Sequence, residues 1–206
     1  MNLRSRISKL LGLILLLAGG LQSTARAHFP LPPKQLSEIG RRVVKTAVPD
    51  FKLTDQDGKP FRFVDSRGNL VLITFIFTTC PDVCPLLTAK FAAIQRALDA
   101  QNVKAYRLLS ITTDPERDSS AVLKEYAGRY KADFQHWSFL TGSRADLAKV
   151  WKAMGVNVTK TNAGEVSHTT LTTLVDRRGT RRVDYYGDKW LDKEVLKDFQ
   201  WLGAQK

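Results

Sequence analysis

Apolar residues in this 206-residue chain fall into short runs separated by stretches with helical spacing. The run at residues 70–77 is typical of a buried strand, and residues 106–112 form a second apolar strand. Residues 137–140 are short and strand-like. Two hairpins are predicted, one over residues 51–63 with its turn at Asp57-Gly58, and one over residues 169–186.

Helical spacing of apolar residues predicts four helices. They cover residues 86–99, 119–130, 143–154 and 191–202. Ser143 is a suitable N-cap for the third helix. Residues 155–167 are polar and are predicted to be irregular. Strands that alternate with helices, followed by a hairpin and a last helix, predict an α/β layer fold.

The first 27 residues resemble a targeting signal. A basic beginning is followed by the apolar residues 10–21, which match the length of a signal-peptide core and are short for a membrane span. Ala25-Arg26-Ala27 offers a cleavage site. We predict a secretory signal peptide over residues 1–27, with an uncleaved membrane anchor as the alternative.

The next stretch, residues 28–48, is predicted to be an extended leader because its first residues are rich in proline. Residues 34–48 are expected to form a short helix or a tether. The folded domain is predicted to begin near Pro49 and to cover residues 49–206, a length that suits one domain. We expect this domain to be monomeric.

The chain is basic, with a formal net charge of +12. Loss of residues 1–27 would remove four positive charges and leave +8. Such a surplus favours an acidic partner or association with an anionic membrane surface, although a basic solvated surface without a dedicated partner is an equal alternative. Nucleic acid is not expected as a partner, because the signal predicts a periplasmic or other extracytoplasmic location.

Two cysteines, Cys80 and Cys84, follow the predicted strand 70–77 directly, and the chain contains no others. The prolines at positions 81 and 85 suit the start of a helix. A close thiol pair between a buried strand and a helix is typical of soft-metal binding or thiol–disulfide chemistry. A structural disulfide is the third alternative, but so small a loop constrains the unfolded chain little.

Two thiolates make an incomplete metal site, so the three histidines are candidates for a third ligand. His168 precedes a predicted strand, and such strand-end loops are where an α/β sheet presents ligands. His136 is expected in a surface loop. His28 would become the N-terminus after cleavage, where amine and ring could bind copper(II). Two thiolates and one imidazole suit copper better than zinc, which normally takes four protein ligands in a structural site.

Four segments together resemble the SCO/SenC family of copper chaperones. They are Phe-Ile-Phe-Thr-Thr-Cys-Pro-Asp-Val-Cys-Pro at residues 75–85, Asp-Pro-Glu-Arg-Asp at 114–118, Phe-Leu-Thr-Gly at 139–142, and His168. The similarity covers residues 49–202. It implies a thioredoxin-like, peroxiredoxin-related fold, with a central sheet flanked by helices and an N-terminal β-hairpin.

The same resemblance implies that Cys80, Cys84 and His168 bind copper, as Cu(I), Cu(II) or both. It also implies a role in assembling the dinuclear copper centre of cytochrome c oxidase. One position departs from the family, because Ser167 stands where an aspartate usually precedes the metal histidine. A carboxylate there could orient the imidazole or add charge near the metal, so copper affinity or partner choice is expected to differ.

Two acidic features near the predicted site have alternative interpretations. Asp114, Pro115 and the acids after them suit the N-cap and first turn of a helix, or they form an acidic loop beside the copper site. Asp82 is either a solvated loop residue or a charge that adjusts the pKa of the thiols.

Two functions compete for the dithiol. A metallochaperone would pass copper by thiolate exchange to the copper-receiving subunit of cytochrome c oxidase, or exchange it with other copper carriers. A thiol–disulfide oxidoreductase would use Cys80 and Cys84 as a redox pair to reduce the copper-ligand cysteines of a partner, and thiol reductants would regenerate it. Only copper binding requires His168. A peroxidase, suggested by fold kinship, is disfavoured by the cysteine spacing.

Overall fold

The computed structural model describes residues 40–161 and 164–205. Within them, six strands form one mixed sheet: β1 (Arg41–Ala47), β4 (Leu70–Ile76), β5 (Tyr106–Thr112), β6 (Trp137–Leu140), β9 (Leu171–Val175) and β10 (Thr180–Tyr186). Two hairpins lie outside this sheet, formed by β2 (Lys52–Thr54) with β3 (Pro60–Arg62) and by β7 (Val158–Lys160) with β8 (Val166–His168). The helices are α1 (Val83–Ala100), α2 (Ser120–Arg129), α3 (Arg144–Met154) and α4 (Asp192–Gly203).

The strands of the large sheet follow the order β1-β10-β9-β4-β5-β6. Strand β4 pairs parallel with β5 and antiparallel with β9, and β5 pairs parallel with β6. All seven residues of β4 are buried, because the strand has a neighbour on each edge and helices on each face. The carboxyl ends of β4 and β5 therefore meet at one end of the sheet.

The core consists of two clusters, one on each face of the sheet. Helices α1, α2 and α4 supply the first, and α3 with the β2–β3 hairpin supplies much of the second. Phe139 and Leu140 of β6 belong to different clusters, as the alternation of side chains along a strand requires. The predicted α/β fold with a central sheet, flanking helices and an N-terminal hairpin is confirmed.

Local signals agree with the observed ends of several elements. The Ser143 hydroxyl accepts a hydrogen bond from the Asp146 N–H and caps α3, as predicted. Gly155 ends the same helix in the left-handed conformation, at φ +75°. The hairpin β2–β3 turns at Asp57-Gly58, where Gly58 has φ +77°.

The predicted boundary at Pro49 is wrong. Strand β1 precedes it, pairs antiparallel with β10, and is fixed by two hydrogen bonds from the Arg41 guanidinium to the Asp198 carboxylate. Residues 41–47 of the predicted leader therefore form a strand of the folded sheet. Residues 1–39, which include the predicted signal peptide and His28, lie outside the described residues.

One further prediction is wrong. The stretch 155–167, predicted to be irregular, contains most of the β7–β8 hairpin, whose three-residue strands are too short to show a period. Of the two interpretations of Asp114, the helix cap is excluded, because its carboxylate binds Arg117 and Lys160 and Ser119 caps α2. Across the described part of the chain, no helix has the length and hydropathy that a membrane span requires.

Candidate metal centre

The two thiols lie where β4 passes into α1. The chain leaves the sheet after Ile76, and the Cys80 N–H donates to the Phe77 carbonyl at 3.3 Å. Helix α1 begins at Val83, so the Cys84 N–H is one of those that a helix start leaves unpaired. It donates to Cys80 Sγ at 3.4 Å. The structure therefore brings the predicted thiol pair into contact, with both cysteines free.

The two thiols have different surroundings. Cys80 is partly exposed, whereas Cys84 is only 1% exposed and packs in the core cluster beneath α1. Burial, together with the hydrogen bond to Cys80, raises the pKa of Cys84 well above its usual range. The buried thiol is thus protonated at neutral pH, and a metal ion or a disulfide must displace that proton.

Asp82 between the thiols is exposed and makes no capping hydrogen bond through its side chain. Of the two interpretations of Asp82, this placement supports the solvated loop residue.

The buried carboxylate of Asp118 stabilises the segment that leads to the thiols. Asp118 is fully buried and accepts hydrogen bonds from the N–H and hydroxyl of Thr78 and from the hydroxyl of Thr112. It thereby ties the end of β4 to the end of β5. Burial raises the pKa of Asp118, and the hydrogen bonds from Thr112 and Thr78 offset this only in part. The Asp-Pro-Glu-Arg-Asp segment draws attention to Asp118, but the sequence does not show its contact with Thr78, from which forty residues separate it.

His168 lies on β8, opposite Val158. Its Nδ1 is 3.0 Å from the Thr169 carbonyl, which can only accept, so Nδ1 donates and carries the proton. The lone pair of Nε2 therefore remains for a metal ion or another donor. Burial lowers the pKa of His168 below its ordinary 6.5, so the imidazole is neutral at pH 7.

The imidazole packs against the end of β4. Its ring meets the Phe77 ring edge-on, with the centroids 5.9 Å apart. Phe77 also holds the amide of Cys80, so His168 and the thiols share one neighbour. His136 stacks on Tyr106 at the start of β5, which is the opposite end of the sheet. Of these two histidines, only His168 lies at the thiol end.

The three predicted ligands are neighbours without forming a closed cluster. In residues 40–161 and 164–205, no three side chains of the His, Cys, Asp or Glu types are close enough together to hold one ion. The thiol pair and the imidazole are thus two parts of a candidate soft-metal site, carried by separate elements at one end of the sheet.

Ser167 points away from this candidate site. It pairs with Thr159 in the hairpin and is exposed, whereas its neighbour His168 is partly buried. Side chains alternate along a strand, so residues 167 and 168 face opposite sides of the hairpin. A carboxylate at position 167 would accordingly face solvent.

The fold agrees with a comparison against known families. A model described as SCO1/SenC matches residues 40–202. The chain belongs to the SCO1/SenC family. Two relatives in this family are a SCO1 protein homolog of Bacillus subtilis, 34% identical over 68% of this chain and 74% of its own, and a SCO2-like protein of Rickettsia prowazekii, 30% identical over 97% and 99%.

Solved structures of SCO1/SenC proteins share the fold. A lipoprotein of the family from Bacillus anthracis has a TM-score of 0.74 at 30% identity, over 81% of this chain and 100% of its own. BsSco is described as a member of the Sco family of cytochrome c oxidase assembly proteins with a disulfide switch. It has a TM-score of 0.70 at 30% identity, over 80% of this chain and 97% of its own. ScoI of Bradyrhizobium japonicum with copper bound has a TM-score of 0.65 at 32% identity, over 76% of this chain and 99% of its own. The predicted thioredoxin-like fold is confirmed.

Proposed function

We propose that this SCO1/SenC protein carries copper, which Cys80, Cys84 and His168 bind as cargo. The observation that supports this most directly is the pairing of two free thiols, joined by the Cys84 N–H to Cys80 Sγ hydrogen bond, with an imidazole at the same end of the sheet. The copper-bound relative from Bradyrhizobium japonicum supports the choice of metal.

The donor set fits copper(I). Thiolate and imidazole are soft or borderline ligands, which copper(I) prefers over carboxylate or carbonyl oxygen. His168 is suited to bind through Nε2, because the Thr169 carbonyl holds Nδ1. This carbonyl fixes both the tautomer and the ring plane, as groups behind a metal-binding histidine commonly do.

The destination we propose is the copper-receiving subunit of cytochrome c oxidase, where the cargo would contribute to the dinuclear copper centre. The family link of BsSco to oxidase assembly supports this. Transfer would occur outside the cytoplasm, as the predicted signal peptide requires. The partly exposed Cys80 is the ligand that a partner's thiolate can approach first, and the buried Cys84 would be released later.

Copper(I) titration of the reduced full chain against a chromophoric chelator tests this proposal. We expect one copper per chain, and a loss of affinity of at least about 10-fold in His168→Ala, because changing even the groups behind a metal ligand costs about 10-fold to 100-fold. His136→Ala is the matched control, because that ring stacks on Tyr106 away from the thiols. Absence of tight copper binding, or equal affinity of wild type and His168→Ala, would refute the three-ligand site.

The unequal burial of the two cysteines supports a second function, thiol–disulfide exchange. The thiolate of Cys80 would attack a partner disulfide and release one partner thiol, and Cys84 would then attack the mixed disulfide and release the other. The partner gains two electrons, Cys80 and Cys84 become a disulfide, and a thiol reductant restores them. Cys84→Ser should accumulate the mixed disulfide with a disulfide-linked model peptide; if none accumulates, this function is excluded.

A further inference from the structure

The hairpin β7–β8 that carries His168 is joined to the turn after β5 by charged side chains. Lys160 Nζ lies 3.2 Å from the Asp114 carboxylate and 3.5 Å from that of Glu116. Arg117 Nη1 donates at 2.9 Å to the carbonyl of Gly164, which lies in the loop before β8, and also binds Asp114 at 3.1 Å. These contacts, which we call the hairpin anchor, connect segments more than forty residues apart in the chain.

The anchor acts on the face of the hairpin that carries the imidazole. Val158 pairs directly with His168, and Lys160 pairs directly with Val166, so these four side chains share one face. Thr159 and Ser167 occupy the other face and are exposed. The ion pairs of Lys160 with Asp114 and Glu116 therefore hold the face that carries His168 against the body of the domain.

Burial makes the anchor stronger than an ordinary surface ion pair. The Asp114 side chain is 0% exposed and that of Lys160 is 27% exposed. By contrast, Arg129 and Glu125 form a pair in which both side chains are largely exposed, and such pairs contribute little. Removal of the Lys160 charge would leave the buried Asp114 carboxylate with only Arg117 as its partner. This loss would destabilise the position in which the hairpin contacts Asp114.

We propose that Lys160 is a positioning residue, which holds the β7–β8 hairpin over Phe77 through Asp114 and Glu116 and so keeps His168 beside the thiol pair. This inference rests on the proposed copper site. A hairpin that is held in place keeps the imidazole at high effective concentration near the sulfurs. A loosened hairpin must be ordered again whenever His168 binds copper, and the affinity falls accordingly.

The test uses four variants of the full, reduced chain. Lys160→Met removes the charge and keeps most of the side-chain volume, and Lys160→Arg restores a cation that reaches the same carboxylates. Lys197→Met is the matched control, because Lys197 is an exposed lysine of α4 for which the described residues show no ion pair. Asp114→Asn removes the other charge with little change of shape.

The first readout needs no copper. We expect hydrogen exchange at the hairpin amides of Thr161 and Thr169 to be about tenfold faster in Lys160→Met and in Asp114→Asn than in wild type. The NMR shifts of the His168 ring protons, which the Phe77 ring displaces, should move towards those of an exposed histidine. Lys160→Arg and Lys197→Met should match wild type in both measurements. Unchanged exchange and unchanged ring shifts in Lys160→Met would overturn the proposal.

The second readout is copper(I) affinity. Lys160→Met should bind about tenfold more weakly than wild type, in the range for residues behind metal ligands, and Lys160→Arg should restore the affinity. In a His168→Ala background, Lys160→Met should have no further effect, because Lys160 acts through His168. Equal or tighter binding by Lys160→Met, or the same loss without His168, would overturn the proposal.

The two readouts separate this inference from the function on which it rests. If wild type shows no His168-dependent copper binding but Lys160→Met frees the hairpin and the ring of His168, the copper proposal is wrong and the positioning role of Lys160 stands. If copper binding depends on His168 while Lys160→Met changes neither readout, the copper proposal stands and the hairpin anchor is refuted.

Discussion

At the scale of single residues, protons decide when the candidate ligands can bind. The pKa of Cys84 is raised because the thiol is buried and hydrogen-bonded to Cys80, whereas burial lowers the pKa of His168. At pH 7 the imidazole is therefore ready to bind, and the buried thiol still carries its proton. Copper binding must release that proton.

Copper(I) affinity should consequently rise with pH. Between pH 7 and 9 we expect an increase of about tenfold per pH unit for each proton released, with Cys84 as the main source. His168 adds nothing in this range, because its pKa lies below 6.5, and it begins to lose affinity for copper only at acidic pH. Chelator competition at several pH values measures the slope. Cys84→Ser should flatten it, and an affinity independent of pH in wild type would contradict the assignment.

A second residue-scale prediction concerns Ser167, which stands where the family resemblance predicts an aspartate. Because residue 167 faces solvent on the outer side of the hairpin, Ser167→Asp should change copper(I) affinity by less than about threefold, as expected for an exposed and screened charge. His168→Ala provides the comparison on the inner face. A tenfold gain in the affinity of Ser167→Asp would show that the carboxylate reaches the metal after all.

At the scale of elements, β1 shows how an edge strand is fixed by distant residues. The Arg41 guanidinium forms two hydrogen bonds with Asp198 of α4, and the Tyr185 hydroxyl of β10 donates to the same carboxylate. The side chains of Arg41 and Asp198 are 9% and 1% exposed. This network holds β1, β10 and α4 together.

Arg41→Met should therefore lower the free energy of unfolding by about 3 kcal/mol, because it leaves a buried carboxylate without its cation. Lys45→Met is the control on the same strand, since Lys45 is exposed, and it should stay within about 0.5 kcal/mol of wild type. Urea denaturation of the full chain measures both. Equal stability of the two variants would mean that β1 contributes little to the fold.

The elements that the sequence predicts well are those with their own periodicity or caps. Strands β4, β5 and β6 are mostly apolar and almost wholly buried, and α3 has Ser143 at its start and Gly155 at its end. Strand β1 and the β7–β8 hairpin are missed because few of their residues are buried and their pairing is imposed by partners elsewhere in the chain.

At the scale of the whole molecule, the sheet order gathers the candidate site at one end. The carboxyl ends of β4 and β5 deliver the thiols and the buried Asp118, and the β7–β8 hairpin adds His168 against Phe77. Sequence spacing and family resemblance could name Cys80, Cys84 and His168. They could not name Asp118 or Lys160 as supports, because those roles depend on contacts between segments about forty residues apart.

The β7–β8 hairpin belongs to neither edge of the six-stranded sheet, and this has a consequence for how quickly cargo could leave. A ligand mounted on a short separate hairpin can withdraw while every strand of the core stays paired. Such local openings are far faster and cheaper than global unfolding. The residence time of the metal would then be governed by two three-residue strands and a few charged side chains, so a recipient could collect it from a domain that remains folded throughout.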